Sequence, residues 1–418
     1  MHHSNLFLAI ILLMSLCVSP LAAADRGIMW ADVDKAVNEG LPQTAIEKLE
    51  PIIKSAVEDG KVTEAARAIC KKIVLEGNIQ GNKAEEKIVR LEKEIETSDA
   101  SIRPLLRIVL ARWYWHYFQQ NNWRFLDRTQ TEGLDEKDFT TWDLPKLFLK
   151  IGSLYESVLA DEKTLQALPF SDLSEIVDAG NQPADLWPTV FDFYGHQALE
   201  FYTSGEQAGA APQEAFEIDA ASPVFDDAKT FVSWSVVATD TNSPTFRALS
   251  LYQRLLKFHL AKADISALVD LDLQRLKWAN SVAKPAGRSD RYIAQLKAIA
   301  AEYSTNPLSA LALAMCAEEL QSRGQKQEAW KIAKEGSRQF PASDGGVMCQ
   351  GIINAIEAKQ LQIDTERVSN DPTASARISW CNIDQVHFRL IDISDRELFR
   401  PNGYDPESFS WDEIRGPL

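Results

Sequence analysis

Histidine and cysteine are scarce in this chain, six and five among 418 residues, and their spacing removes whole classes of chemistry. No His-Glu-x-x-His run puts two imidazoles on one helix face, which excludes a zincin-type metal site. No Cys-x-x-Cys pair occurs, so neither a zinc ribbon nor a thioredoxin-type redox pair is signalled. A Gly-x-Ser-x-Gly elbow and a glycine-rich loop ending in Gly-Lys-Ser/Thr are both missing, and with them the hydrolase nucleophile and the phosphate cradle those motifs build. Basic charge is short as well: 44 Lys and Arg against 60 Asp and Glu leave a net charge of -16. Such a chain repels phosphate backbones, and no basic stripe with interleaved aromatics runs along it, so nucleic acid and anionic membrane surfaces are poor partners. Carboxylates abound, but a catalytic pair needs a fixed separation across a cleft, and any pair picked from sixty acids reads first as solvated surface. The sequence therefore nominates no catalytic, cofactor-binding or metal-ligating residue and predicts a protein that is not an enzyme.

One apolar run exists, Leu6 to Leu16, preceded by His2 and His3 and followed by Pro20, Ala22-Ala23-Ala24 and the charged pair Asp25-Arg26. That order is a secretory signal peptide over residues 1–24, cleaved after Ala24; it is too short for the roughly 20 residues of a membrane helix. The reading predicts an exported protein, periplasmic, cell-surface or secreted, with no membrane span in its mature part. Leu16 before Cys17 is too bulky for a lipoprotein signal, so no lipid anchor is expected. Cys70, Cys316, Cys349 and Cys381 remain, widely spaced, and read as core thiols. An oxidising compartment leaves one bridge open.

From Trp30 to about Lys359 apolar residues recur at helical spacing with Gly or Pro punctuation, the pattern of stacked antiparallel helices. Ile28 to Asn38, the turn Gly40-Leu41-Pro42 and the stripe Ala45, Ile46, Leu49, Ile52, Ile53, Ala56 predict a first hairpin, with Pro51 bending its second helix. A third helix follows Thr63, and a fourth carries Ile88, Leu91 and Ile95. Residues 310–343 read as one tetratricopeptide-like unit, small residues allowing close helix approach and Pro341 closing it. Met315-Cys316 returns as Met348-Cys349, which places both thiols at one repeat position on successive first helices. Between about 205 and 244 the period fades into a long insertion, of a kind often functional. Helical repeats thus occupy residues 25–370.

After Asp371-Pro372 the period switches to two. Ala376, Ile378 and Trp380 alternate with polar residues, and Val386, Phe388 and Leu390 do so after a short break, predicting two strands. Beyond Leu390 the phase slips at Ile391 and Ile393, as at a bulge or a strand's end. A strand pair alone is marginal in water, so residues 371–418 are expected to be the truncated start of a larger β domain. The fold class is mainly α: a tetratricopeptide-like antiparallel helical array followed by a short, incomplete β segment.

The densest aromatic cluster is Trp113-Tyr114-Trp115-His116-Tyr117-Phe118, followed by Trp123-Arg124-Phe125. Leu106, Leu110, Trp113 and Tyr117 share one helical face while Trp115 and Phe118 point elsewhere. Aromatics all round a helix predict burial between neighbours, against the alternative of a carbohydrate or peptide groove. Ser204-Gly205-Glu206-Gln207 is similar to a Cys-Gly-Glu-Gln thioester, but Ser204 has no thiol to acylate. Cys316-Ala317-Glu318-Glu319 lacks the final Gln.

Several phrases, in this order, resemble the N-terminal helical region of large bacterial alpha-2-macroglobulin family proteins. They are Trp113 to Phe125 with Arg128-Thr129, Thr141-Trp142-Asp143-Leu144, Pro188-Thr189 with Phe191-Asp192-Phe193, His196-Gln197-Ala198-Leu199, Leu251-Tyr252 with Leu255 to His259, and Asp272 to Leu276. Residues 376–393 look like the first strands of the macroglobulin-type sandwich that follows. The resemblance implies an endopeptidase-inhibitor role outside the cytoplasm, with protein partners that include proteases. The bait segment, further sandwiches and any thioester would lie beyond Leu418, so the chain is expected to be a truncated, non-catalytic scaffold or docking region. Two other readings stand beside it: a free-standing helical-repeat adaptor for a peptide or cell-envelope partner, and an all-helical glycan-active enzyme.

Overall fold

The rhythm of helices and short turns expected from the sequence is what the computed structural model shows: the chain is mainly α, with, among the described residues, a single antiparallel strand pair. Residues 20–126, 138–173, 176, 185–210, 216–262, 265–284, 289–365 and 375–388 are described. Most of the expected leader, including Cys17, lies outside them, as do Arg128-Thr129, Leu390 to Ile393 and the tail from Arg400. Two compact units form, residues 1–350 and 351–418.

The first unit opens with α1 (Pro20–Asn38), α2 (Pro42–Glu58), α3 (Val62–Ile79), α4 (Ala84–Thr97), α5 (Arg103–Asn121) and the single turn α6 (Trp123–Leu126). Its middle holds α7 (Leu144–Leu159), α8 (Glu162–Ala167), α9 (Val190–Thr203), α10 (Gln207–Ala210) and α11 (Ala228–Ser233). Then follow α12 (Pro244–Lys262), α13 (Ile265–Val282), α14 (Ser289–Glu302), α15 (Leu308–Ser322), α16 (Lys326–Gln339) and α17 (Asp344–Glu357). Most neighbours in sequence pack on one another, and α9 also packs on α12 across the intervening segment. The α2 helix runs on through Pro51.

Three hairpins share one turn. Gly40, Gly60 and Gly324 adopt φ of 72°, 66° and 77°, the left-handed region open to glycine. The next residue's N–H then reaches back five residues: Leu41 to the Ala36 carbonyl at 2.9 Å, Lys61 to Ala56 at 2.8 Å, Gln325 to Leu320 at 2.9 Å. This is the Schellman closure of a helix end. In each case a fully buried alanine stands five residues after the glycine: Ala45, Ala65 and Ala329. The sequence rule is Gly-x-x-x-x-Ala, where the glycine reverses the chain and the alanine lets the second helix lie close to the first. Leu49, Ile69 and Ala333, one turn further on, are buried on the same face.

The start of α17 lies close against both α15 and α16. A Cβ on Gly345 would stand 2.1 Å from the Leu311 backbone nitrogen, and one on Gly336 would stand 2.7 Å from Cys349 Sγ. The small residues of 310–343 therefore serve the close packing the sequence suggests. Cys316 sits on α15, the first helix of the α15–α16 hairpin, and Cys349 on α17, which is followed by a strand and not by a second helix.

Where the period fades, the described residues form ordered structure: α10, a 3-10 turn at Pro223–Phe225 and α11. Val224, Phe225 and Phe231 are buried. Ile218 to Ala220 runs beside the end of α13, Lys284 N–H donating to the Ile218 carbonyl at 2.9 Å and Ala220 N–H to that of Lys284 at 2.7 Å.

The second unit corrects the expected strand pair. The strand at Ala376–Cys381 (β2) forms, but its partner is β1 (Gln360–Thr365), antiparallel, with Leu361 opposite Trp380 and Ile363 opposite Ile378. Residues 386–388 carry no strand. The physical reason lies in Gln360 to Asp364, which alternates polar and apolar as clearly as 386–390 does and is held by a full register of partners. The strand begins before the expected boundary at 370/371. Asn382, in the left-handed region at φ 56°, donates from Nδ2 to the Ile356 and Ala358 carbonyls at 2.6 and 3.0 Å, closing the end of α17.

Glycine-to-alanine changes at two helical sites should have opposite signs. Gly345→Ala drives a methyl into the α15 backbone and should cost about 1–3 kcal/mol or more in denaturant unfolding. Gly27→Ala, with nothing within 4 Å of its Cβ, should stabilise by roughly 0.5–1 kcal/mol. Equal effects would contradict the close approach.

Candidate functional site

The aromatic cluster on α5 is core. Tyr114, Trp115, Tyr117 and Phe118 are buried, whereas Trp113 is half-buried and Trp123 exposed. Trp115 meets Phe148 and Phe201 edge-on at centroid distances of 5.9 and 5.3 Å, and Phe118 meets Phe148 at 4.9 Å. These are the T-shaped geometries that favour aromatic pairs. The Trp115 indole N–H donates to Glu200 Oε1 at 3.2 Å. The cluster locks α5, α7 and α9 together, and the buried rings that α5 contributes line neither cleft described below.

A buried polar network ties α9 to α12. Thr189 caps α9 in a capping box: its N–H and hydroxyl donate to Asp192 Oδ2 at 2.9 and 2.7 Å, and the Asp192 N–H returns to the hydroxyl at 3.4 Å. The other carboxylate oxygen of Asp192 meets His259 Nε2, from α12, at 2.7 Å. Both side chains are fully buried. His196, one turn along, places Nδ1 2.8 Å from the Asp192 carbonyl and lies 5.0 Å from the Trp187 ring. Its Nε2 is buried without a hydrogen-bond partner among the described residues. A His–Asp pair can orient a general base. Here both carboxylate oxygens are spent on the cap and on His259, so the pair staples two helices.

Two arginines hold the segment before α12. Arg275, fully buried on α13, pairs with Asp272 at 2.7 Å and donates to the Val224 and Asp226 carbonyls at 2.7 and 2.9 Å. Its guanidinium lies 4.5 Å from the Phe231 ring centroid. Burial pushes the Asp272 carboxyl upward, against the pull of Arg275. Arg291, on α14, donates to the Ala220 and Ser222 carbonyls at 2.6 and 2.8 Å and pairs with the Asp226 carboxylate at 2.7 Å. An irregular backbone inside a protein must place its carbonyls on donors, and these two guanidinia supply them.

Three of the four described thiols are committed to packing. Cys70, Cys316, Cys349 and Cys381 are free, the first three buried. Burial pushes Cys70 up to about 12 and Cys316 and Cys349 to about 11, and a thiol so raised is a poor nucleophile. Cys349 Sγ stands 3.6 Å from the Ala310 carbonyl.

Two adjoining clefts remain open beside α9, sharing Tyr202, Gln207 and Pro244. The smaller, about 210 Å³, is walled by Phe148, Gly152, Phe201 and Arg247. The larger, about 680 Å³, is bordered by Ser204, Phe216, Trp278 and Lys284. Ser204 and Gln207 of the thioester-like tetrapeptide line it, and the Gln207 amide donates to the Phe201 carbonyl at 2.7 Å. No helix among the described residues is long and apolar enough to cross a membrane. Among them, too, no group of three or more His, Cys, Asp or Glu side chains is placed to hold a metal.

Sequence reasoning nominated none of the network residues. Thr189-x-x-Asp192 carries the capping-box signature, but His259 lies far along the chain and only the fold brings it to Asp192. No protein-family model matches this chain, and no curated protein does.

Burial holds His196 below its ordinary value of about 6.5, the Asp192 contacts opposing. The unfolded chain therefore takes up this proton first. Stability is whole above about pH 6.5 and falls as pH drops from there toward the folded value, by at most about 1.4 kcal/mol per unit. Denaturant midpoints measured from pH 7.5 to 5 should fall for the native protein and fall less for His196→Gln. Identical slopes would remove His196 from the account.

Proposed function

We propose that this chain is the non-catalytic helical scaffold of an exported alpha-2-macroglobulin-like protease inhibitor, and that its role is to dock protein partners, proteases among them. The observation that carries the reading is a coincidence between two independent sets of residues. The phrases that resemble the family include Thr189, Asp192, His196, His259, Asp272 and Arg275, and these same residues form the buried polar contacts that join α9 to α12 and anchor the segment before α12 to α13. Polar side chains are rarely buried unless their partners are present, so such residues come as a set with a fold. The packing of His196, His259, Cys70, Cys316 and Cys349 in the interior supports a scaffold over a catalyst. The two clefts beside α9 favour a second reading, a free-standing adaptor that binds a peptide.

Export belongs to the same proposal. Cleavage after Ala24 would fall inside α1, and the part that remains includes Arg26, which is buried and paired with Asp59 and with Glu64. Trp30 donates to Glu64 at 3.0 Å, so this anchor of α1 to the following helices would survive processing.

The test is the polypeptide in the cells that make it. Mass spectrometry of the exported fraction should find an N-terminus at Asp25 on a protein joined to, or firmly associated with, macroglobulin-type β domains. An intact Met1 in the cytosolic fraction would overturn the export reading. A purified chain with neither kind of link would favour the adaptor.

A further inference from the structure

The smaller cleft beside α9 contains a guanidinium that no carboxylate of the described chain neutralises. Arg247 is half-buried near the start of α12. One of its nitrogens rests on Gly152, so close that a Cβ there would stand 2.9 Å from Nη1. Gly152 lies inside α7, where glycine weakens a helix, and its bare face is what admits the guanidinium. Asn242 Oδ1 accepts from Nη2 at 2.8 Å, and the Tyr202 ring centroid lies 5.8 Å from the guanidinium carbon. Both of these partners are uncharged. Arg26, Arg275, Arg291 and Arg323 are each paired with a carboxylate. In a chain with 60 acidic side chains against 44 basic ones, a positioned cation left on neutral partners has spare capacity for an anion.

The rest of the cleft narrows the choice of anion. Its walls include the apolar rings of Phe148 and Phe201. Asp240 also lines it, with Oδ1 accepting from the Asn242 N–H at 2.9 Å. The nearby Glu156 is engaged by the Tyr202 hydroxyl at 3.0 Å. A simple anion would feel repulsion from Asp240. A ligand that carries an N–H donor beside its carboxylate would satisfy both charges. The volume, about 210 Å³, lies below the roughly 300–1,000 Å³ of drug-sized sites and suits a single amino-acid residue.

We propose that this cleft binds an apolar residue bearing an α-carboxylate, its side chain against Phe148 and Phe201, its carboxylate on Arg247 and its α-nitrogen hydrogens on Asp240. A free apolar amino acid and the C-terminal residue of a peptide share this chemistry. The proposal goes beyond the scaffold reading and stands apart from it, since the cleft is a property of the folded chain whatever its family.

Titration calorimetry on the full chain tests it with three probes: L-leucine, N-acetyl-L-leucine and N-acetyl-L-leucinamide. The two carboxylates should bind at least about tenfold more tightly than the amide, one decade in Kd. Arg247→Gln, shown to be folded by an unchanged circular dichroism spectrum, should erase that preference. Gly152→Ala, which displaces the guanidinium, should weaken it in parallel. Tighter binding of leucine identifies the free amino acid as the ligand, and tighter binding of N-acetyl-leucine identifies a peptide terminus. Native protein that binds neither carboxylate, or binds the amide equally well, overturns the proposal without the help of any variant. So does a folded Arg247→Gln that keeps the full preference. None of these outcomes alters the N-terminus or the associated β domains, so the scaffold reading is judged separately.

Discussion

Asp192 is fully buried, and each of its carboxylate oxygens has a partner. One accepts from the Thr189 cap, and the other meets His259. Removing a carboxylate from water costs several kcal/mol unless hydrogen bonds replace the hydration. The start of α9 and the seating of α12 both depend on that replacement. Arg275 meets a similar constraint on α13, where its two terminal nitrogens reach Asp272 and two backbone carbonyls. The middle of the first unit is therefore organised around buried charge as well as apolar contact. Apolar burial supplies most of the stability of such a core, while the polar partners restrict which arrangements of the helices are acceptable.

The two flanks of this unit are built differently. From α1 to α3, and again at α15 and α16, the Gly-x-x-x-x-Ala turn and small interfacial residues let successive helices nest. A repeated local rule of this kind gives an array in which each element depends mainly on its neighbours. The middle departs from the rule, since α9 skips to α12 and the connecting segment is held by Arg275, Arg291 and Gln253, whose amide donates to the Phe231 and Trp234 carbonyls at 2.8 Å each. The open clefts lie beside that departure, where the helices cannot nest fully.

The legible parts of this structure were those encoded locally. The stripe Ala45, Ile46, Leu49, Ile52 announced α2, the tetratricopeptide-like unit at 310–343 resolved into α15 and α16, and the period-two run at Ala376–Cys381 became β2. The β1 strand was missed because the run Gln360 to Thr365 is short and falls inside the 25–370 stretch assigned to helical repeats, and its partner strand lies beyond that boundary. Arg275 and His259 gave no warning either, because a buried charge announces itself only through partners that are distant in sequence. For the aromatic cluster, burial on more than one face of the helix was legible: Tyr117 on one side and Trp115 and Phe118 on others are buried, while Trp113 is half-buried. The Arg247 cleft was illegible for the same reason as the network, since Gly152, Asp240 and Arg247 meet only in the fold.

The most direct measurement of the central claim, that the buried ionisable groups serve to hold helices together, is the unfolding free energy of Asp192→Asn. The substitution preserves shape but removes an acceptor that Thr189 needs and the charge that His259 faces. Breaking one member of a buried pair should cost about 3–5 kcal/mol, with the loss confined to the residue 1–350 unit. A change below about 0.5 kcal/mol, the usual scale of a surface substitution, would contradict the claim.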